Sequence, residues 1–312
     1  MDVSVIIVTR NTCELTRAAV QSVLGSRDPL AKEIFVMDNG STDGTPLVFA
    51  REFPQVQLVP SETNLGFARA GNLAAERASG KFLLLLNSDA RLEPDALARA
   101  VTWMRANPDC AVAGAQLLNA DGSRQNSIAN FPTLATELLN KSLLRRLFPA
   151  RFPGKEQKFS GPIEVETIVG AFMLIRKSVW DSLGGLDERF FFFFEETDFC
   201  LQVRRQGRRV MHLPDVYVQH DQGQSVKDAS GAARIEYWRS RYAYFAKNHH
   251  VPTRLVLVVG LCLRLLFDSL AAGLCVLATL GRNARWLARW RVCTELIGWH
   301  WRGCPKHVGL PR

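Results

Sequence analysis

The sequence predicts an α/β protein built on a mainly parallel sheet and followed by a basic helical tail. Three observations carry this expectation. Residues 3–8 (VSVIIV) form an unbroken, β-branched apolar run, the pattern of a strand covered on both faces. Strand-like and helix-like segments then alternate, as βαβ units require. The residues that close the strands are acidic or polar, Asp38 after the second and Asn87-Ser88-Asp89 after a later one. Open sheets of this kind bind ligands at the carboxyl ends of their strands. With 312 residues, 47% apolar and 22% charged, the chain can bury a full core. Disordered, collagen-like and disulfide-scaffold classes are excluded.

The elements follow in order. Leu15, Ala18, Ala19, Val23 and Leu24 recur at helical spacing, and Gly25 closes that helix. A strand over 34–37 runs into the turn cluster 38–44, and a short helix and a strand over 56–59 follow. Residues 66–79 predict a helix and 81–86 a strand, and Pro94 opens the next helix where its missing N–H costs nothing. The stretch 116–162, with prolines 132, 149, 153 and 162, reads as an irregular insertion or loop. Residues 168–175 restore order as a strand. A helix near Val179, an acidic helix over 195–205, a strand over 210–218 and a helix over 234–247 complete a first domain at 1–245. Residues 246–312 form the tail.

The net charge of +9 has one origin. From Arg241 onward eleven lysines and arginines face two carboxylates, so residues 1–240 are neutral. The excess sits on no folded recognition module, which argues against nucleic acid. The first ten residues read as a strand rather than a secretory leader. The seven cysteines are scattered without a CxxC pair, which predicts reduced thiols in the cytoplasm.

Several nucleotide signatures are missing: GxGxxG after the first strand, the GxxxxGK[ST] loop and the GxSxG elbow. Carboxylates at strand ends suit ribose hydroxyls, base N–H groups and a divalent metal instead. The motifs VSVIIVTRN at the start, MDNGSTDGT at 37–45, NLGFARAGN at 64–72 and LLLLNSDARLEPDAL at 83–97 supply the context. So do the segment 170–207, from GAFMLIRKS to FFFFFEETDFC, and HDQGQS at 220–225. In this order, over about residues 1–245, they resemble the inverting family-2 glycosyltransferases, in particular a bacterial rhamnosyltransferase-like branch of polysaccharide and cell-wall glycan assembly.

That resemblance implies an A-type glycosyltransferase fold, a nucleotide-sugar donor with rhamnose favoured, and a divalent cation, Mg²⁺ or Mn²⁺. It implies inverting transfer to a hydroxyl of a glycan or lipid-linked acceptor. A hexosyl or N-acetylhexosaminyl donor in the same fold stays open, as does a non-catalytic nucleotide-sugar-binding scaffold. By the same resemblance Asp38 contacts the donor's base or ribose, with Thr9, Asn11, Asn64, Gly66, Arg69, Asn72 and Ser88 on the donor side. Asp38 is equally suited to capping a turn, and Arg69 to a plain surface role. Asp89 matches the metal carboxylate, with Asn87 where many relatives carry a first Asp, and its alternative is a helix-terminal charge. His220 completes the metal site or is a satisfied strand histidine. Glu196 takes the place of the catalytic base, and the phenylalanine run 190–194 desolvates it. Glu195 sits on the acceptor side or charges a helix start, and one residue of misregister would exchange the two. Asp187 contacts an acceptor hydroxyl or shapes its turn.

Residues 255–280 form an apolar stretch whose only charges are Arg264 and Asp268, which sit at i,i+4 and can pair. The uninterrupted runs fall short of the ~20 residues a span needs. With four of the seven tryptophans (286, 290, 299, 301) and several arginines, this stretch predicts a segment lying in or dipping into an anionic leaflet. The expected location is the cytoplasmic face of the bacterial inner membrane, peripheral or monotopic. A helical pair packed on the catalytic domain or on a second subunit is the alternative.

Overall fold

The computed structural model describes residues 1–152, 157–221 and 230–312. The expectations on Pro153 and on Gln222 to Ser225 of the HDQGQS motif lie outside the described residues. In chain order the elements begin with β1 (Val3–Thr9), α1 (Cys13–Leu24), β2 (Lys32–Asn39), α2 (Thr45–Glu52), β3 (Gln57–Ser61) and α3 (Phe67–Ala75). Next come β4 (Phe82–Leu86), β5 (Ala90–Leu92), α4 (Ala96–Ala106), β6 (Cys110–Leu118), β7 (Ile128–Ala129), α5 (Leu134–Leu138) and α6 (Lys141–Leu147). They are followed by β8 (Ile163–Glu164), β9 (Thr167–Ile168), β10 (Phe172–Arg176), α7 (Lys177–Leu183), α8 (Glu195–Arg205) and β11 (Arg209–His220). Three helices close the chain: α9 (Ser230–Asn248), α10 (Val251–Ala278) and α11 (Ala284–Trp301).

The main sheet runs β3-β2-β1-β4-β10-β6-β11-β5, with β8 also on β11. Pairing is parallel through β3, β2, β1 and β4, and again between β6 and β11. β10 enters antiparallel between β4 and β6, and β5 pairs antiparallel with the far end of β11. The apolar runs follow from burial on two faces. Val3, Val5 and Ile7 point into one core with Leu84 and Leu86, beneath α1, α2 and α4. Ile6 joins Leu83 and Leu85 in a second core, with side chains of α3, α7 and α8. Alternate residues thus serve opposite faces, and no polar position is left along β4.

Two features differ from the sequence reading. β6 runs as a full strand to Leu118, into the stretch taken for an irregular insertion, because its apolar residues pair with both β10 and β11. The third helix stops at Ala75 instead of 79. Ser79 donates both N–H and hydroxyl to Glu33, and a Cβ on Gly80 would lie 2.5 Å from the Ser4 nitrogen, so the chain turns early to enter β4. All seven cysteines are free thiols.

The chain divides into two compact units. One holds Met1–Phe131, Phe148–Phe191 and Glu195–Ser225; the other holds Pro132–Leu147, Phe192–Phe194 and Val226–Arg312. The second therefore begins before residue 246 and takes up α9, which packs on both α10 and α11. Within it, Leu257, Leu261, Leu265, Ser269 and Ala272 form the buried stripe of α10 at helical spacing. The opposite face is bare: Leu263, Phe267, Leu270, Leu274 and Leu277 are all exposed. α10 is one continuous helix of 28 residues, long and apolar enough by length and composition to cross a membrane. Arg264 and Asp268 do pair along it, and Arg289 of α11 adds a closer contact to Asp268 at 3.0 Å. Asn283 caps α11 by accepting from the N–H groups of Arg285 and Trp286.

In the sheet unit, burial in β11 lowers the His212 pKa from 6.5 to about 4, helped by Arg124. The unfolded chain therefore takes up a proton that the folded chain refuses, and stability falls as pH drops from 6.5 toward 4. The shift is worth about 3 kcal/mol across that window. Urea unfolding between pH 7 and 4 should show a shallower acid slope in His212→Leu than in wild type.

Candidate active site

Parallel pairing brings three strand ends together. Thr9 of β1 lies in register with Asp38 of β2, and β4 on the other side of β1 leads directly into Asn87, Ser88 and Asp89. The loops beyond are laced by hydroxyls. Thr9 Oγ1 bonds Thr12 Oγ1 at 3.0 Å and Thr16 Oγ1 at 2.7 Å, and Thr12 donates to Ser88 at 3.1 Å. Asn11, with a left-handed φ of 53°, accepts from the Thr42 N–H. The Cys13 N–H donates to Asp43. Burial of Asp43 is outweighed by its hydrogen bonds from Thr45 and Cys13, so its carboxyl titrates below the ordinary range. The two loops are thereby joined into one rim.

Asp38 is 2% exposed and its Oδ2 takes only a long bond from the Ser41 N–H. Its Oδ1 has no hydrogen-bond partner among the described residues. A buried carboxylate oxygen left in this way costs free energy unless a ligand's N–H or O–H meets it. Beside it Asn39 organises the next segment. Its Nδ2 donates to Asn64 Oδ1 at 2.8 Å, its Oδ1 accepts from the Leu65 N–H, and Asn64 Oδ1 also accepts from the Gly66 N–H. Gly66 has φ +80° and lies where a Cβ would come within 2.4 Å of the Phe191 carbonyl. Here a glycine is demanded by close approach as well as by the left-handed backbone.

Asp89 and His220 meet through β5 and β11, because His220 is in register with Ala90. Both side chains are about 5% exposed, and His220 Nε2 lies 3.4 Å from Asp89 Oδ1. The tautomer of His220 follows from its neighbour. Gln125 Nε2 donates to the His220 carbonyl at 2.6 Å and to Asn119 Oδ1 at 2.8 Å, which turns Gln125 Oε1 toward His220 Nδ1 at 3.0 Å. Nδ1 must then carry the proton, and Nε2 presents a lone pair to a carboxylate oxygen. Two acceptors facing each other in a buried place are arranged to share a cation, and a divalent metal ion is one that both can ligate. An imidazole whose other nitrogen donates to a fixed acceptor is the usual arrangement of a metal-bound histidine. Among the described residues no third His, Cys, Asp or Glu joins them. Asp221 is adjacent, its N–H on the Asp89 carbonyl, but its carboxylate is held by both terminal nitrogens of Arg91. The donor set therefore fits a cation such as Mg²⁺ or Mn²⁺ that takes its remaining ligands from phosphate and water.

Glu195 and Glu196 open α8. Glu196 packs against the backbone of Gly170, with its Cβ and Cγ 3.5 Å from where a Gly170 Cβ would stand. The neighbouring Ala171 carbonyl accepts the Asn87 N–H, so the start of α8 is fastened to the strand end that leads to Asp89. Burial pushes the Glu196 carboxyl above its usual range, against the opposing pull of the N–H groups of Glu196 and Thr197. Phe193 and Phe194, immediately before, hold φ values of 72° and 73°, a strained conformation for residues with side chains. Glu195 is buried, with 7% exposed.

Other candidates have been given different partners. Asn72 Nδ2 donates to the Leu186 carbonyl and its Oδ1 accepts the Leu186 N–H, both at 2.9 Å, so its amide is spent on holding the 184–188 loop. Asp187 receives the N–H and guanidinium of Arg189 within that loop. Arg69 is half-exposed, 4.0 Å from Glu188. Gln125 and Asn39 had no place in the sequence reading. An amide does not titrate, Asn39 stands in its motif without a role of its own, and Gln125 lies 95 residues from the histidine it orients.

Residues 4–184 match the sequence profile of Glycosyl transferase family 2. The chain belongs to that family. It is 28% identical over 255 residues to the Mycobacterium tuberculosis N-acetylglucosaminyl-diphospho-decaprenol L-rhamnosyltransferase, covering 74% of this chain and 81% of the relative. It is 24% identical over 233 residues to the dTDP-rhamnosyl transferase RfbF of Shigella flexneri, covering 71% and 73%. These place it in a rhamnosyltransferase-like branch of the family-2 glycosyltransferases. Among solved structures, a mannosyltransferase of Pyrobaculum calidifontis in complex with GDP-Man and Mn²⁺ superposes with a TM-score of 0.57 at 20% identity, over 96% of this chain and 86% of that one. S. aureus TarS in complex with UDP-GlcNAc gives 0.52 at 18% identity, over 94% and 79%. The fold is the A-type glycosyltransferase fold.

The Asn72 clamp has a consequence for stability. Asn72→Ala strands the Leu186 N–H and carbonyl and should cost about 1–3 kcal/mol. Urea denaturation should show that loss, and an unchanged midpoint would contradict the clamp.

Proposed function

We propose that this glycosyltransferase is cation-dependent and inverting, moving a deoxyhexose, rhamnose favoured, from a nucleotide-diphosphate donor to a hydroxyl of a glycan or lipid-linked acceptor. The facing lone pairs of His220 Nε2 and Asp89 Oδ1 carry the reading, since they ask for a cation beside an unsatisfied Asp38 oxygen. Asp38 accepts from a ribose hydroxyl or base N–H of the donor. Asp89 and His220 hold the cation, with Thr9, Asn11, Asn64, Gly66 and Ser88 shaping the donor side and Arg69 at its margin. When bound, the cation neutralises the donor's diphosphate and eases its departure. Glu196 takes the proton of the acceptor hydroxyl as that oxygen attacks the anomeric carbon, and the C–O bond to the diphosphate breaks on the opposite face. Glu195 and Asp187 lie on the acceptor side.

The rhamnosyltransferase names of two relatives support the donor, and the decaprenol-linked substrate in the mycobacterial name supports a lipid-linked acceptor. The Mn²⁺ in the mannosyltransferase complex supports the cation. The bare apolar face of α10 supports attachment of residues 246–312 to a membrane, at the cytoplasmic face of the inner membrane. A hexosyl or N-acetylhexosaminyl donor is the second reading, favoured by the GDP-Man and UDP-GlcNAc complexes of the structural neighbours.

Hydrolysis of a panel of nucleotide sugars, with and without Mg²⁺ or Mn²⁺, decides among these. Selective dTDP-rhamnose turnover that EDTA abolishes is expected, and turnover indifferent to EDTA would overturn the cation assignment. Glu196→Gln should lower transfer by about 10²–10⁴-fold. Because the raised pKa means the folded state disfavours the charged carboxylate, its stabilising contribution is complete only at acid pH and is lost as pH rises. Gln should therefore melt no earlier than wild type at pH 7, and a drop in activity matched by a drop in melting temperature would sink the base assignment. Gln125→Leu removes the acceptor that orients His220. The cation concentration for half-maximal activity should rise about 10–100-fold while saturating donor affinity holds.

A further inference from the structure

Within the second unit a cavity of about 800 Å³ lies among α5, α6, α9, α10 and α11. Five cationic side chains line it, Lys141, Arg234, Arg241, Arg264 and Arg289, against two carboxylates, Glu137 and Asp268. The carboxylates are already engaged: Glu137 with Arg241 at 3.3 Å, Asp268 with Arg289 and Arg264. Among the described residues neither Lys141 nor Arg234 makes an ion pair. Arg241 is 6% exposed and stacked over Trp238, with its ring 4.6 Å from the guanidinium carbon, and its Nε has no hydrogen-bond partner among the described residues. With five cations against two carboxylates the lining carries a surplus of three positive charges, and phosphate oxygens are the acceptors that match a guanidinium fork.

The rest of the lining says how that anion arrives. Leu139, Leu261, Leu265, Val292 and Leu296 give the cavity an apolar wall. Arg264 and the exposed Phe267 stand three residues apart on α10, so the cationic rim runs directly onto the bare apolar face. α6 repeats the combination in seven residues, with Leu143 and Leu147 exposed and Arg145 and Arg146 in its last turn. Two elements at the cavity mouth thus pair basic side chains with bare leucines, the composition of a segment that seats in a lipid head-group layer. We propose that this cavity binds the phosphate or diphosphate head group of a membrane amphiphile, whose hydrocarbon chain leaves along the exposed leucines of α6 and α10. The site is independent of donor chemistry and stands whether or not the catalytic reading holds.

Titration calorimetry of the full chain in non-ionic detergent tests it without any nucleotide sugar. The probes are farnesyl diphosphate, inorganic pyrophosphate and farnesol. Farnesyl diphosphate should bind, and pyrophosphate should bind at least about tenfold more weakly because it lacks the chain. The double substitution Arg234→Gln/Arg264→Gln should weaken farnesyl diphosphate by about tenfold or more, whereas Arg282→Gln/Arg285→Gln removes equal charge outside the cavity and should change it little. Equal loss in both pairs, or no binding of farnesyl diphosphate, overturns the site. Pyrophosphate binding as tightly as farnesyl diphosphate makes it a site for free anions and overturns the lipid assignment, as does farnesol binding equally well. Melting curves accompany each variant. If the Arg234/Arg264 pair fails to fold, Lys141→Gln, at the exposed start of α6, supplies the same comparison.

Discussion

Everything in the site depends on β1 pairing in parallel on both sides. A parallel strand cannot be reached by a tight turn, so after each one the chain must cross a face of the sheet and return. The cost is a core on both faces, and that is why Val3, Val5 and Ile7 pack one way while Ile6 packs the other. The benefit is that several strands end on the same side. Thr9, Asp38 and the Ser88-Asp89 pair, distant in sequence, arrive side by side because the register of β1 with β2 and β4 leaves them nowhere else to go. A one-residue slip of β4 against β1 would exchange the two faces of β4 and displace the Asn87-Ser88-Asp89 segment that follows it.

How much of this was legible in the sequence depended on whether a signal was local. The VSVIIV run, the leucines of β4 and the turn glycines declare themselves within ten residues, so strands β1 to β4 and their helices could be read directly. β6 is not legible as a strand in the sequence, because its apolar residues mean nothing until β10 and β11 flank it. The carboxylates were legible as residue types at strand ends, and the motif order gave them roles. The oriented imidazole was not, because Gln125 reaches His220 across the fold and an amide carries no titratable signature. Asn72 was misleading for the converse reason. It sits inside a family-like motif, yet the structure spends both ends of its amide on the Leu186 backbone.

The charge imbalance acquires a finer meaning in the same way. A count of lysines and arginines in the tail says only that it is basic. The second unit brings three of those charges, Arg241, Arg264 and Arg289, to one cavity, where Glu137 and Asp268 engage them and where Lys141 and Arg234 add two further cations. Basic residues spread over a helix face serve a surface potential, while basic residues converging on a hollow serve a discrete anion.

The antiparallel insertion of β10 has an implication for how the protein is made. β6 touches the sheet only through β10 and β11, and β4 has no outer neighbour until β10 arrives. During synthesis the four strands β3-β2-β1-β4 leave the ribosome complete, but with the leucine-rich edge of β4 unpaired. β5 and β6, made next, have no place to dock, since β5 pairs with β11 and β6 with β10 and β11. The sheet closes only after residues 172–176 emerge, and the pairing is then long-range and slow to find. For the whole of that interval the nascent chain carries an open apolar edge, the surface that other chains add to and that holdase chaperones cover. The stretch between β4 and β10 is therefore the interval of synthesis in which β4 stays an unpaired edge, and it lengthens with every residue inserted there.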